Sequence, residues 1–218
     1  MKVYEPKLFN PFNVENGLGK CSVKIGQDKY YLKRYTINVF SDKTKYNLGF
    51  EDLVFYPDNN EIIGEMIQTN FRYRNKYKIG EVMRLASIME LMENKLDAIK
   101  IFSKKTAVYF HSKYGFEPSF KFGERGYLKD LVQDVLHDEH PDFREFKEAI
   151  KYHYSKKQYN ECGRILKEYY KRVLEGGYDQ EKHQASSGLY MKLTAEKIKN
   201  NADFYNKLFE KHGIDYKI

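Results

Sequence analysis

The chain has 218 residues, of which 41% are hydrophobic and 16% aromatic (20 Tyr, 15 Phe, no Trp), enough apolar material for a sizeable core and against wholesale disorder. Its 38 basic and 31 acidic residues leave a net charge of +7, which falls short of an arginine-rich nucleic-acid binder and suits a polyanionic small molecule locally. Two cysteines, Cys21 and Cys162, give neither a disulfide framework nor a CxxC motif; no run nears the ~18 apolar residues of a membrane span, and residues 1–7 lack an apolar signal core, so a soluble, cytoplasmic protein without membrane association is expected.

Residues 1–17 hold two of the five prolines and several asparagines, and read as an irregular lead-in. Cys21–Ile25 and Tyr30–Phe40 read as strands separated by a turn at Gly26-Gln27-Asp28. Tyr46–Tyr56 is a third strand, closed by Pro57-Asp58-Asn59-Asn60, and Ile62–Asn70 a fourth. A basic loop, Phe71–Ile79, leads into a helix over Gly80–Glu93, where Val82, Leu85, Ala86, Met89 and Met92 recur at steps of three and four. Leu96–Phe102 contains a short apolar, β-branched strand, and Lys104–Lys113 a second helix that breaks at Gly115. Strand, loop, helix and strand in this order make a βαβ unit, whose helix covers one sheet face.

Beyond Pro118 the composition changes. Phe120-Lys121-Phe122 can form a short strand, and Tyr127–His137 carries Leu128, Leu131, Val132, Val135 and Leu136 at helical spacing. Pro141 opens another helix, Pro being well tolerated at a first helical position, that runs to about Lys157. Asn160–Glu175 is the clearest helix, with Cys162, Ile165, Leu166, Tyr169, Tyr170, Val173 and Leu174 on one stripe and Gly176-Gly177 stopping it. Gly188–Thr194 reads as a last strand and Ala195–His212 as a last helix. The predicted class is α/β, a mixed and mostly antiparallel sheet with helices on both faces. Residues 1–126 form its core, 127–180 a helical insertion, and 181–218 the last core strand and helix; an independent C-terminal helical domain is the alternative. The stripe of the insertion needs a partner surface, either the α/β core or a second copy, so a homodimer through the helical segment is one expectation.

The loop Arg74-Asn75-Lys76-Tyr77-Lys78-Ile79-Gly80 delivers three cations and one glycine to a helix N-terminus, where backbone N–H groups and the helix dipole favour an anion. At these residues the chain resembles the GNAT acyl-CoA N-acyltransferases, in which a Q/R-x-x-G-x-G/A loop before a helix holds the coenzyme A pyrophosphate. Tyr73-Arg74 followed by Ile79-Gly80-Glu81-Val82 is similar to the family's Tyr-Arg … Ile-Gly segment. Arg74 stands one residue upstream, Asn75 holds the Gln/Arg place, and Lys78 replaces the first glycine. Ala107-x-x-x-His111-x-x-x-Gly115-Phe116-x-Pro118 is similar to the signature Ala-x-x-x-Tyr-x-x-x-Gly-Phe that follows the family's strand five. Gly188–Thr194 resembles its last strand. The resemblance covers roughly the first 120 residues, and the early helix pair of the family has no room here.

The resemblance implies an N-acyltransferase that moves an acetyl or other acyl group from acyl-CoA to an amine by direct attack. It assigns the diphosphate to the backbone around Lys78, Ile79, Gly80, Glu81 and Val82 with Arg74, Asn75 and Lys76, and further cofactor contacts to Thr69 and Ser103. Lys104 stands where the family often has an Asn. His111 occupies the place of the family's tyrosine, the acid that protonates the departing thiolate, and an imidazole titrating near 6.5 keeps that chemistry open. A histidine merely packed on its helix is the alternative, with Tyr109 and Tyr114 as nearby phenols. Glu65, the one acid inside the predicted fourth strand, is implied as general base, with Glu51 and Asp52 in reserve. No metal is expected: His137-Asp138-Glu139-His140 lacks a zinc-type framework and reads as a polar loop. Lys156-Lys157 and Lys171-Arg172 interleave with Tyr152, Tyr154, Tyr159, Tyr169 and Tyr170, which reads as a solvated face over a tyrosine-rich core before it reads as an RNA grip. The rival functions are a non-catalytic partner- or RNA-binding protein of this fold, and an acyltransferase fed by an acyl carrier protein. The amine acceptor is not legible, because specificity lives in the least family-like segments.

Overall fold

The computed structural model describes residues 5–16, 19–73, 78–104, 107–119, 126–176 and 188–218. The fold is α/β, with eight strands in one mixed, mostly antiparallel sheet of order β1-β2-β3-β4-β5-β6-β8-β7. The strands are β1 (Phe12–Asn16), β2 (Gly19–Gln27), β3 (Arg34–Ser41), β4 (Asn47–Tyr56), β5 (Glu61–Thr69), β6 (Ala98–Lys104), β7 (Glu117–Pro118) and β8 (Gly188–Thr194). The helices are α1 (Ile79–Glu93), α2 (Ala107–Ser112), α3 (Gly126–His137), α4 (Arg144–Ser155), α5 (Tyr159–Glu175), α6 (Ala195–Asn200) and α7 (Ala202–Lys211). Among the described residues no helix is long and apolar enough to cross a membrane. Two compact units result, one of Met1–Lys100 with Leu193–Ile218, the other of Ile101–Lys192.

In the first unit β1 to β5 form an antiparallel meander. The alternation of β3 is strict: Tyr35, Ile37, Val39 and Ser41 are buried and the residues between them are not, which is what a period of two gives when one face is covered. Helix α1 covers β3, β4 and β5. It is buried on nearly every side, Arg84 and Glu90 included, because α7 packs on it and the segment Lys7–Phe9 hydrogen-bonds to Glu90 and Asn94. The Arg84 guanidinium is accommodated by Glu51 of β4 at 2.8 Å, both side chains essentially without solvent contact. Breaking such a pair from one side strands a buried charge.

Several elements differ from the sequence expectation. The lead-in contains β1, whose Phe12 and Val14 lie opposite Val23 and Cys21. Tyr30–Leu32 is a turn: the Asp28 carboxylate accepts hydrogen bonds from Tyr30 N (2.7 Å) and Tyr31 N (3.0 Å), and the strand resumes at Arg34. The fourth predicted strand begins earlier, at Glu61, and carries a bulge, since Asp52 faces Met66 while Leu53 faces Gly64. The helix expected over Lys104–Lys113 is the shorter α2, with Lys104 still in β6. The final helix is two, interrupted at Asn201. Phe120–Phe122 lies outside the described residues, and Glu117–Pro118 pairs with β8 just before it.

In the second unit α3, α4 and α5 pack on one another, and α5 also packs on α2 and β7. Of the predicted stripe, Cys162, Leu166, Tyr169, Tyr170 and Val173 are buried there, while Ile165 and Leu174 are half-buried; the burial of the five requires no second copy. Tyr169 closes this small core by donating to Asp138 Oδ2 at 2.6 Å and setting its ring 5.1 Å from that of Phe143. Gly188 opens β8 where space forbids a side chain: a Cβ there would lie 2.7 Å from Ser103 O and 2.8 Å from the Phe102 ring.

Candidate functional site

The predicted site residues fall into two groups, one in each unit. The first is built where β5 ends and α1 begins. Thr69 is the last residue of β5, opposite Gly49. Asn70 N then donates to Leu48 O at 2.9 Å, and a short 3-10 turn, Phe71–Tyr73, is held by Tyr73 N to Asn70 O at 2.9 Å. Arg74, Asn75 and Lys76 lie outside the described residues. Lys78 precedes the helix with φ +53°, in the left-handed region, and no side chain caps α1. A left-handed residue is where glycine is preferred and where a lysine is tolerated at a cost of about 1–2 kcal/mol. Lys78, at the place where the resemblance has a glycine, thus adopts a backbone that glycine favours. The first helical bond is Val82 N to Lys78 O at 3.0 Å.

Ile79 and Val82 turn their side chains into the core. Val82 N already donates to Lys78 O, so of these two only the Ile79 backbone N–H is left for an anion. Glu81 is also buried, its Oε1 2.6 Å from both Lys211 Nζ and His212 Nε2. Gly49 makes the close seating of α1 on the sheet feasible. A Cβ at that position would come within 2.8 Å of Gln68 O and 2.9 Å of Ile79 Cγ2.

Glu65, the predicted base, is the extra residue of the β5 bulge. It is partly exposed and bound to Arg34 at 2.6 Å. The two reserves point to opposite faces of β4. Asp52 accepts from Thr36 Oγ1 at 2.7 Å, whereas Glu51 is buried under α1 against Arg84. Burial pushes the Glu51 carboxyl up to about 7 against the downward pull of Arg84.

The second group lies on β6 and α2. Ser103 is buried, and its hydroxyl meets no hydrogen-bond partner among the described residues. His111 is 4% exposed. Its ring sits 5.0 Å from that of Phe110 and 5.7 Å from that of Phe116, centroid to centroid. Its carbonyl accepts from Tyr114 N and Phe116 N, while Gly115 turns the chain with φ +81°. Tyr109 points toward α5, its hydroxyl 3.3 Å from Glu175 Oε1 and its ring under Lys113. Partial burial and then the Glu175 carboxylate push that phenol above its ordinary value. Tyr114 is buried against Phe110.

Two features escaped the sequence reading, the clasp of Lys211 and His212 on Glu81 and the ion pair of Arg34 with Glu65. Their partners are far apart in sequence, and no local motif announces them. Among the described residues no group of His, Cys, Asp and Glu could hold a metal ion.

No family model matches the sequence, and no curated protein matches it either. Among solved structures the chain is similar to the PaiA N-acetyltransferase from Thermoplasma acidophilum in complex with coenzyme A, at 19% identity over 42% of this chain and 57% of that one, TM-score 0.37. It is similar to an acetyltransferase of the GNAT family from Staphylococcus aureus Mu50, at 24% identity over 40% of this chain and 55% of that one, TM-score 0.37. It is also similar to the spermidine/spermine N-acetyltransferase SpeG from Vibrio cholerae, at 10% identity over 78% and 72%, TM-score 0.44. The chain spans less than two thirds of the first solved structures it matches.

Proposed function

We propose that the protein is an acyl-CoA-dependent N-acyltransferase, most simply an acetyltransferase, of the GNAT type. The observation that carries this reading is the start of α1. A basic loop follows the end of β5 in sequence, Lys78 takes a left-handed backbone, and the helix that follows has no side-chain cap, which leaves its first N–H groups for an anion. Backbone N–H groups from Lys78 to Glu81, with Arg74, Asn75, Lys76 and the Lys78 ammonium, hold the donor's diphosphate, and Thr69 lies beside its path. The buried Ser103 hydroxyl, which has no hydrogen-bond partner among the described residues, is a second contact suited to the amide-bearing arm of such a cofactor.

In the transfer the acceptor nitrogen attacks the thioester carbonyl carbon, a C–N bond forms, and the C–S bond breaks. Glu65 takes the amine proton after releasing Arg34, and His111 donates a proton to the departing thiolate. Helices α3, α4 and α5 are the part proposed to shape the acceptor side. The engagement of Glu65 by Arg34 and the packing of His111 between aromatic rings favour one alternative, a binding protein of the same fold without catalysis.

Calorimetry with acetyl-CoA, a longer acyl-CoA and free coenzyme A tests the reading. Binding in the micromolar range is expected, and absence of binding to all three overturns it. With a competent acceptor, His111→Phe is expected to lower kcat by about 10²–10⁴-fold with donor affinity unchanged. An unchanged rate removes His111 from the chemistry.

A further inference from the structure

The hairpin joining β2 to β3 carries three large apolar residues in a row at its tip: Tyr30, Tyr31 and Leu32, with 88%, 62% and 69% of their surface exposed. Their backbone is nonetheless fixed. Asp28 N donates to Arg34 O and Arg34 N to Tyr31 O, both at 2.8 Å. The Asp28 carboxylate accepts from Tyr30 N and Tyr31 N, and Gln27 Nε2 donates to Leu32 O at 2.7 Å. Tyr31 lies against Arg34, whose guanidinium carbon is 4.9 Å from the ring centroid and which is itself held by Glu65. A turn closed in this way loses little freedom on binding, and adjoining apolar side chains held out to solvent mark a contact surface.

Charge decides what that surface meets. Lys29 and Lys33 flank the three residues and are exposed, and Lys24 is exposed on β2 behind them. The acid of the turn, Asp28, aims its carboxylate at two backbone N–H groups. A second copy meeting the same tip would set lysines against lysines. A single nucleic-acid strand would stack on rings, but Leu32 has no ring and the Tyr31 ring already carries Arg34. An anionic bilayer surface suits every part of the tip: tyrosine and leucine side chains enter the headgroup boundary, and ammonium groups meet the lipid charges. We infer that the tip of the β2–β3 hairpin docks the protein on an anionic lipid surface through Tyr30, Tyr31 and Leu32, with Lys24, Lys29 and Lys33 facing the headgroups. The expectation of no membrane association rested on the lack of a spanning run, which a hairpin lying on the surface does not need.

Flotation of the full chain with vesicles tests this. The probes are vesicles of phosphatidylcholine alone and of phosphatidylcholine mixed with phosphatidylserine. Wild type is expected to float with the mixed vesicles only, and less so at high salt. Tyr30→Ser with Leu32→Ser is expected to lower partitioning about tenfold, and Lys29→Gln with Lys33→Gln about thirtyfold. All four side chains are exposed, so both variants are expected to melt as wild type does. The chain has no Trp, so Leu32→Trp adds a single reporter at the tip. Its emission is expected to shift to the blue on mixed vesicles, whereas that of Tyr152→Trp, exposed on α4, is not. Absence of flotation, equal flotation with both vesicle types, or either double variant partitioning as wild type overturns the inference. So does flotation without a shift at position 32, or with an equal shift at position 152. Self-association that Tyr30→Ser with Leu32→Ser abolishes, in a protein that does not float, overturns the lipid assignment and gives the tip to a second copy.

Discussion

At the scale of single residues, two buried carboxylates on or under α1 set how stability responds to pH. Glu90 has no exposed surface, accepts a hydrogen bond from Phe9 N at 2.8 Å, and is pushed by burial from the ordinary 4.5 up to about 7. A folded-state value above the unfolded one means that the folded protein holds the proton more tightly. The stabilisation is complete below about pH 4.5 and is lost as pH rises through about 7. The loss amounts to at most about 3 kcal/mol for this group. Glu90→Gln keeps an acceptor for Phe9 N and carries no charge. Urea melts at pH 5 and pH 8 should therefore show a smaller fall in stability in Glu90→Gln than in wild type, and equal falls would locate the pH dependence elsewhere. The sequence shows Glu90 only as one more residue of a helix, because its burial comes from a segment 81 positions upstream. The same holds for Glu65. Its place on the strand was legible, but the Arg34 ion pair arises from register across a sheet and from the bulge that turns the side chain.

At the scale of elements, what could be read from the chain was what periodicity encodes. Helix α1 and strand β3 have long, regular patterns, so their type and most of their span followed from spacing. Strand β1 has five residues, follows a proline, and carries two asparagines, so propensity argues against it, and pairing with β2 decides. The turn at Tyr30–Leu32 looked like strand because its residues favour strands, and the Asp28 side chain overrides them. Contact of β4 with α1 yields a further expectation. Gly49→Val places a branched side chain where a Cβ alone would already lie 2.8 Å from Gln68 O and 2.9 Å from Ile79 Cγ2. The first turn of α1 must then lift from the sheet, at a cost of about 1–3 kcal/mol. Thermal melts should record the loss, and coenzyme A affinity should fall as well, since the same turn carries the proposed diphosphate site. A variant that melts earlier but binds as wild type would separate the seating of the helix from ligand binding.

At the scale of the whole molecule, the order of elements was legible, while the contacts between distant stretches were not. The change of composition after Pro118 marked where helices take over, and residues 181–218 read as a last core strand and helix; in the structure residues 193–218 join residues 1–100 in one unit. Tyr205, Phe209 and Ile214 are buried there. Removing three such side chains costs several kcal/mol, comparable to the stability of a typical domain. A chain stopped after Asn200 is thus expected to lose the tertiary signal of the first unit in near-ultraviolet circular dichroism. Retention of that signal would show that the meander and α1 stand without α7. The divided layout also bears on how the protein is born. On the ribosome, residues 1–100 emerge well before their closing segment 193–218, whereas residues 101–192 are contiguous and can fold as soon as they clear the exit tunnel. The nascent chain therefore holds an unfinished sheet in the open while residues 101–192 are made, and the later unit is poised to be the earlier one folded.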